Sequence, residues 1–248
     1  MPRVILRLAH GTFTLRLWPT LIAFFMLATL LGLGTWQVER LHWKQNLIAT
    51  IKTRINTAPV DVASTALNVD DADYHHASAF GLFQHDKEMY LASISLKGEG
   101  GYHVLTPLRL ENGRFLLVDR GWVPYDKKSP FARREGQVFG PVMVKGILRK
   151  PRHHWMQPDN HPAQNEWYAV DLAAMVKAVN VPEFLPLVLE ADATPNPGGL
   201  PIGGQTRIDL PNNHFVYALT WYGLALVLIV IYGLSGWQSN DVKRRGKT

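Results

Sequence analysis

The residue pattern with most chemistry in this chain is Pro211-Asn212-Asn213-His214-Phe215-Val216-Tyr217-Ala218-Leu219-Thr220-Trp221-Tyr222, where a polar segment gives way to a long apolar block. Asn212 or Asn213, behind Pro211, is a candidate N-cap for a helix that begins here. In helical register Tyr217, Ala218 and Trp221 follow His214 at i+3, i+4 and i+7, which puts them on one face. An imidazole above a stripe of aromatic and small residues at bilayer depth is a candidate functional site. The chemistry that would use it is axial ligation of a haem, with His214 on iron, the rings of Tyr217 and Trp221 against the macrocycle, and a cation such as Arg207 near the propionates. An interfacial histidine that only caps the helix or snorkels satisfies the same residues. On the residues alone that plainer reading has the better claim.

Other chemistries find less support. The chain has ten histidines. His75-His76 and His153-His154 are adjacent pairs, and neighbours on a strand point to opposite faces. No His-Glu-x-x-His spacing occurs, and the six methionines are scattered rather than clustered as Cu(I) would require. Solvated surface histidines are the expectation. There is no Gly-x-Ser-x-Gly elbow. Gly198 to Gly204 is glycine-rich, but Pro197 and Pro201 and the lack of a preceding strand-helix unit argue against a phosphate cradle. Asp171 and Glu190 have no spacing that makes them an acid-base pair. No catalytic constellation emerges, so the chain reads as a non-enzyme. Cysteine is absent, which removes disulfides, thiolate metal sites and c-type haem attachment.

The elements that must position His214 are two uncharged apolar blocks, Leu17 to Trp36 and Phe215 to Leu234. About 20 residues at about 1.5 Å each cross the roughly 30 Å hydrocarbon core, and Trp18, Trp36 and Trp237 sit where interfacial aromatics belong. The first block is too long for a signal peptide and lacks a small-x-small cleavage site, so it reads as an uncleaved anchor. Lys243, Arg244, Arg245 and Lys247 after the second block predict a cytoplasmic C-terminus. Two spans then put the N-terminus on the same side. The expected layout is a basic leader at 1–16, spans at 17–36 and 214–234, a periplasmic domain at 37–213 and a basic tail at 235–248. Much of the net charge of +6 lies in leader and tail, so it is no footprint for nucleic acid.

Between the spans, Gln37 to Ile55 has helical spacing without Pro or Gly and is expected to extend the first helix. Strand patterns follow at His76–Phe83 and Lys87–Ile94, expected to form a hairpin across Gln84-His85-Asp86. Tyr102–Leu108 and Arg114–Val123 flank Asn112-Gly113, a strong turn signal. Gly140–Leu148 and Leu187–Glu190 are further strands, with a short helix at Leu172–Val179. The fold class is therefore a membrane protein with one α+β domain, mainly antiparallel β and with a partly closed barrel as one expected form, between two transmembrane helices. Gly121, at the end of a strand in Asp119-Arg120-Gly121-Trp122, is expected to permit a bend or a close backbone approach.

Four stretches together resemble the Surf1 family of cytochrome c oxidase assembly factors. They are Leu33-Gly34-Thr35-Trp36-Gln37 with Arg40 and Trp43-Lys44; Gly101-Tyr102-His103-Val104-Leu105-Thr106-Pro107; Leu117-Val118-Asp119-Arg120-Gly121-Trp122-Val123-Pro124; and Gly203-Gly204-Gln205-Thr206-Arg207 followed by Asn212-Asn213-His214, Tyr217 and Thr220-Trp221-Tyr222-Gly223. Their order, spacing and flanking spans agree over nearly the whole chain. Asp119 departs from the family, where Asn is more usual. The resemblance implies a bacterial inner-membrane protein that helps mature the haem a-containing oxidase subunit by receiving or stabilising haem a, with His214 matching the candidate ligand. It implies contact with the oxidase catalytic subunit or with haem a synthase. A scaffold that holds the nascent subunit without cofactor is the alternative, and a membrane-tethered periplasmic enzyme a distant third.

Overall fold

The computed structural model describes residues 3–8, 11–63, 68–151, 156–207 and 210–239. The His153-His154 pair and the basic residues from Lys243 to Lys247 lie outside the described residues. In chain order the first elements are β1 (Arg3–Leu8), β2 (Gly11–Arg16), α1 (Leu17–Ile55), β3 (Val60–Asp61), β4 (His76–Phe83), β5 (Met89–Ile94) and β6 (Gly100–Leu110). They are followed by β7 (Phe115–Pro124), β8 (Pro141–Arg149), β9 (Glu166–Trp167), α2 (Leu172–Val179), β10 (Phe184–Ala191), α3 (His214–Gly236) and β11 (Trp237–Ser239). The chain divides into two compact units, one of residues 1–48 and 210–248 and the other of residues 49–209.

The first unit is built on α1 and α3. With no Pro or Gly after Gly34, α1 runs unbroken over 39 residues, so the apolar span and its amphipathic continuation are one helix. Pro19 falls in its first turn, where a missing N–H costs nothing, and Lys52 and Arg54 in its last turn oppose the negative end of the helix dipole. Only 6% of the most apolar stretch of α1 and 11% of that of α3 is buried within the protein. A core helix of a soluble protein would hide that face. Helices that expose Leu21, Phe24, Phe25, Leu226, Ile229 and Ile231 all round need an apolar solvent, as membrane spans have. In the leader, β1 and β2 form an antiparallel hairpin in register Arg3↔Arg16 to Leu8↔Gly11, and β11 pairs with β2.

The second unit is an eight-stranded sheet in the order β3-β4-β8-β10-β7-β6-β5-β9, and a further β4–β6 pairing closes five of its strands into a barrel. All pairs within the ring are antiparallel except β7 with β10, where Glu190 lies beside Asp119. The expected hairpin of β4 with β5 does not form. Residues 84–87 turn the chain away from β4, and Gln84 N–H donates to Pro107 O of β6. β6 is long enough to serve two neighbours, pairing its first half with β5 and its last three residues with the end of β4. The Asn112-Gly113 turn does join β6 to β7, with Gly113 at φ +82°.

Alternation along β4 sends Ala77 and Ala79 inward to a barrel core of Leu108, Leu110, Leu116, Val118, Leu148 and Leu189. A second cluster, Met89, Leu105, Leu117, Trp167, Met175 and Phe184, includes the buried face of α2. Asp171 caps α2, its side chain accepting from Ala174 N–H at 3.0 Å.

Candidate functional site

α1 and α3 run antiparallel, and small residues set how closely they approach. Ala218 and Ala225 are buried, and a Cβ on Gly34 would fall 2.8 Å from the Tyr222 ring. Such residues let helix backbones come together where lipid offers no hydrophobic drive. Thr35 and Tyr222 hydroxyls meet at 3.1 Å, and those of Thr20 and Tyr232 at 2.5 Å.

This pairing brings two sequence motifs together at one end of the helices. Asn213 holds the N-cap position of α3, but its side chain makes no capping hydrogen bond. Nδ1 of His214, the first helical residue, instead lies within hydrogen-bond distance of Gln37 Oε1 on α1, at 2.7 Å. Gln37 is only 9% exposed. Among the described residues no partner falls to His214 Nε2. On the chain leading into α3, Lys44 Nζ donates to the Pro211 carbonyl.

The expected stripe on α3 is divided. Ala218 turns into the helix pair at 4% exposure, whereas Tyr217 is 55% exposed on the flank. Trp221 lies between them, half-buried, and its indole Nε1–H is buried without a hydrogen-bond partner, as is Oδ1 of Asn212. A buried donor without an acceptor costs about 1–3 kcal/mol. Arg207 belongs to the second unit, where it is exposed and its Nη2 donates to Ile94 O at 3.4 Å.

The second unit holds two polar clusters that the sequence reading missed. Glu88 is buried between two buried guanidiniums, with Arg120 Nη1 at 3.2 Å and Arg133 Nη2 at 2.5 Å. Burial alone would raise its carboxyl, but the hydrogen bonds from His85 and Arg133 and the charges of both arginines outweigh that and hold it at about 2. Burial in turn lowers Arg120 to about 10.

The other cluster joins β6, β7 and β10. His103 Nδ1 donates to Asp119 at 2.5 Å, and burial, which would lower the imidazole, is overcome by that carboxylate. Glu190 is raised by burial and by the neighbouring charge of Asp119. Asp119 also accepts from Gly121 N–H at 2.9 Å. Among the described residues no group of three His, Asp or Glu side chains is placed to hold a metal ion.

The four motifs thus resolve into a helix-pair junction and a barrel, and the sequence that forms them is similar to that of known proteins. The model of the SURF1 family matches residues 24–226. The chain is 38% identical over 213 residues to Surfeit locus protein 1 of Mus musculus, covering 79% of this chain and 69% of that protein. It is 35% identical over 215 residues to the SURF1-like protein of Monosiga brevicollis, covering 81% of each. Surfeit locus protein 1 of Homo sapiens is 35% identical over 215 residues, with 79% and 70% covered. By these measures, and by its two apolar helices around a β domain, this chain belongs to the SURF1 family.

Proposed function

We propose that the chain acts in cytochrome oxidase assembly, as its family is known to do, and that it does so by holding haem a for the oxidase catalytic subunit at His214. The observation that carries the reading is the pair Gln37–His214: one imidazole nitrogen is engaged at 2.7 Å and the other has no partner among the described residues. The donor set suits an iron porphyrin, which when bound would take a nitrogen ligand on iron and present an apolar face. His214 Nε2 would be that ligand. Trp221 would lie against the macrocycle with the part of its ring that α3 leaves exposed. Tyr217, exposed on the flank of α3, would extend the same surface.

Orientation belongs to the same proposal. The chain would sit in the bacterial inner membrane with both termini cytoplasmic and the barrel in the periplasm, within reach of the catalytic subunit and of haem a synthase. The experiment is the visible spectrum of the protein purified from cells making haem a. A Soret band in the wild type that His214→Ala abolishes is the expected result. A wild type without that band would leave the scaffold reading in its place.

A further inference from the structure

The hydrogen bond between the two helices decides more than where the imidazole sits. A neutral imidazole carries one proton, on either Nδ1 or Nε2, and only the nitrogen without it can bind a metal. A free histidine side chain prefers the proton on Nε2, which would block that nitrogen. Here Nδ1 lies 2.7 Å from Gln37 Oε1, an atom that accepts and cannot donate. The contact therefore requires the proton on Nδ1 and leaves the Nε2 lone pair open. The partner comes from the other helix, 177 residues away in the chain, and is itself buried.

We infer that Gln37 is a positioning residue that fixes His214 in the Nδ1–H tautomer and so presents Nε2 as a ready ligand. This rests on the reading of His214 as a ligand for haem iron, but the tautomer itself can be measured without any haem. The reverse arrangement, in which the Gln37 amide N–H donates to Nδ1, would put the imidazole proton on Nε2. Nε2–H would then be a donor with no acceptor among the described residues, and the ligand position would be closed. Outer-shell partners of ligating histidines fix the ring and raise its basicity, and their loss typically costs ~10–100-fold in metal affinity.

The test has two arms. In the first, protein labelled with 15N-histidine, free of haem and in detergent, is examined by long-range 1H–15N correlation at a pH where the imidazole is neutral. His214→Ala identifies the signal. Wild type should show a pyrrole-like Nδ1 and a pyridine-like Nε2. Gln37→Leu, close in shape, should return the signal toward the Nε2–H form, and Gln37→Glu, which keeps an acceptor, should retain the Nδ1–H form. A wild type with its proton on Nε2 overturns the inference, and so does a Gln37→Leu protein with an unchanged tautomer.

The second arm uses the haem-loaded protein. Gln37→Leu should weaken retention by ~10–100-fold, whereas Gln37→Glu should hold haem and shift its midpoint potential negative, because a carboxylate partner makes the imidazole more electron-donating. Equal retention in all three proteins overturns the positioning role. A wild type that takes up no haem but shows the expected tautomer sinks the ligand reading instead, which keeps the two failures apart.

Discussion

An alanine at Gly121 would place a methyl group where the backbone of another segment already lies. A Cβ there falls 2.1 Å from the carbonyl oxygen of Ile202 and 2.6 Å from the amide nitrogen of Gly203. Neither is the end of a flexible side chain, so the segment itself must move. Movement breaks the reciprocal pair Trp122 N→Ile202 O and Ile202 N→Trp122 O, both 2.9 Å, worth about 1 kcal/mol each. Gly121 also sits at φ +118°, where an L-residue costs about 1–3 kcal/mol in strain. The sum is about 3–5 kcal/mol. At roughly 2–4 °C per kcal/mol for a domain of this size, Gly121→Ala should melt about 6–20 °C below wild type in detergent, followed by circular dichroism. Gly121→Glu adds a charge to a buried position and should reduce the amount of folded protein in the cell outright. If either variant accumulates normally with an unchanged Tm yet fails to support oxidase assembly, the steric reasoning is wrong and Gly121 has a direct functional role.

Glu88→Gln removes the carboxylate that two buried arginines share, and breaking such a group should destabilise the domain by about 3–5 kcal/mol at neutral pH. Because the folded carboxyl sits at about 2, below its ordinary 4.5, this stability is present above 4.5 and lost as pH falls toward 2. The Tm gap between wild type and Glu88→Gln should therefore narrow over that window; a gap independent of pH would mean the charge is not what Glu88 contributes. Reporter fusions should be active in the periplasm when joined near Ala132 and in the cytoplasm when joined after Thr248. A periplasmic C-terminus would overturn the orientation.

Local pattern made some of this structure readable in advance. α2 at Leu172–Val179 and β4 at His76–Phe83 have the expected bounds; Asp171 caps the one, and burial alternates over the first six residues of the other. The two apolar helices were legible from composition alone. Pairing was harder. Gln84-His85-Asp86 looks like a hairpin turn, but which strand receives β4 is settled by β6 and β8, far along the chain. The alternation in Thr12 to Arg16 was a signal for β2 that the basic charge of the leader obscured.

The site divides in the same way. His214 stands out by its place at the edge of an apolar block. Gln37, quoted within a motif, has nothing near it in sequence to mark it as the imidazole's partner. Glu88 and Arg133 lie 45 residues apart, so their ion pair has no local signature either. The helical spacing that grouped Tyr217 with Ala218 gives direction only; which neighbour the face meets sends one outward and the other into the helix pair.

The most direct test of the account is a comparison of visible spectra for wild type, His214→Ala and Trp221→Ala proteins purified after co-expression with haem a synthesis. The wild type should carry a Soret band, His214→Ala should lose it, and Trp221→Ala should keep a weakened one, since it removes contact with the macrocycle and not the bond to iron. Neither substitution adds charge to the apolar spans, so both helices should remain inserted. An unchanged spectrum in His214→Ala, or equal loss in both variants, would contradict the assignment of His214 as the ligand.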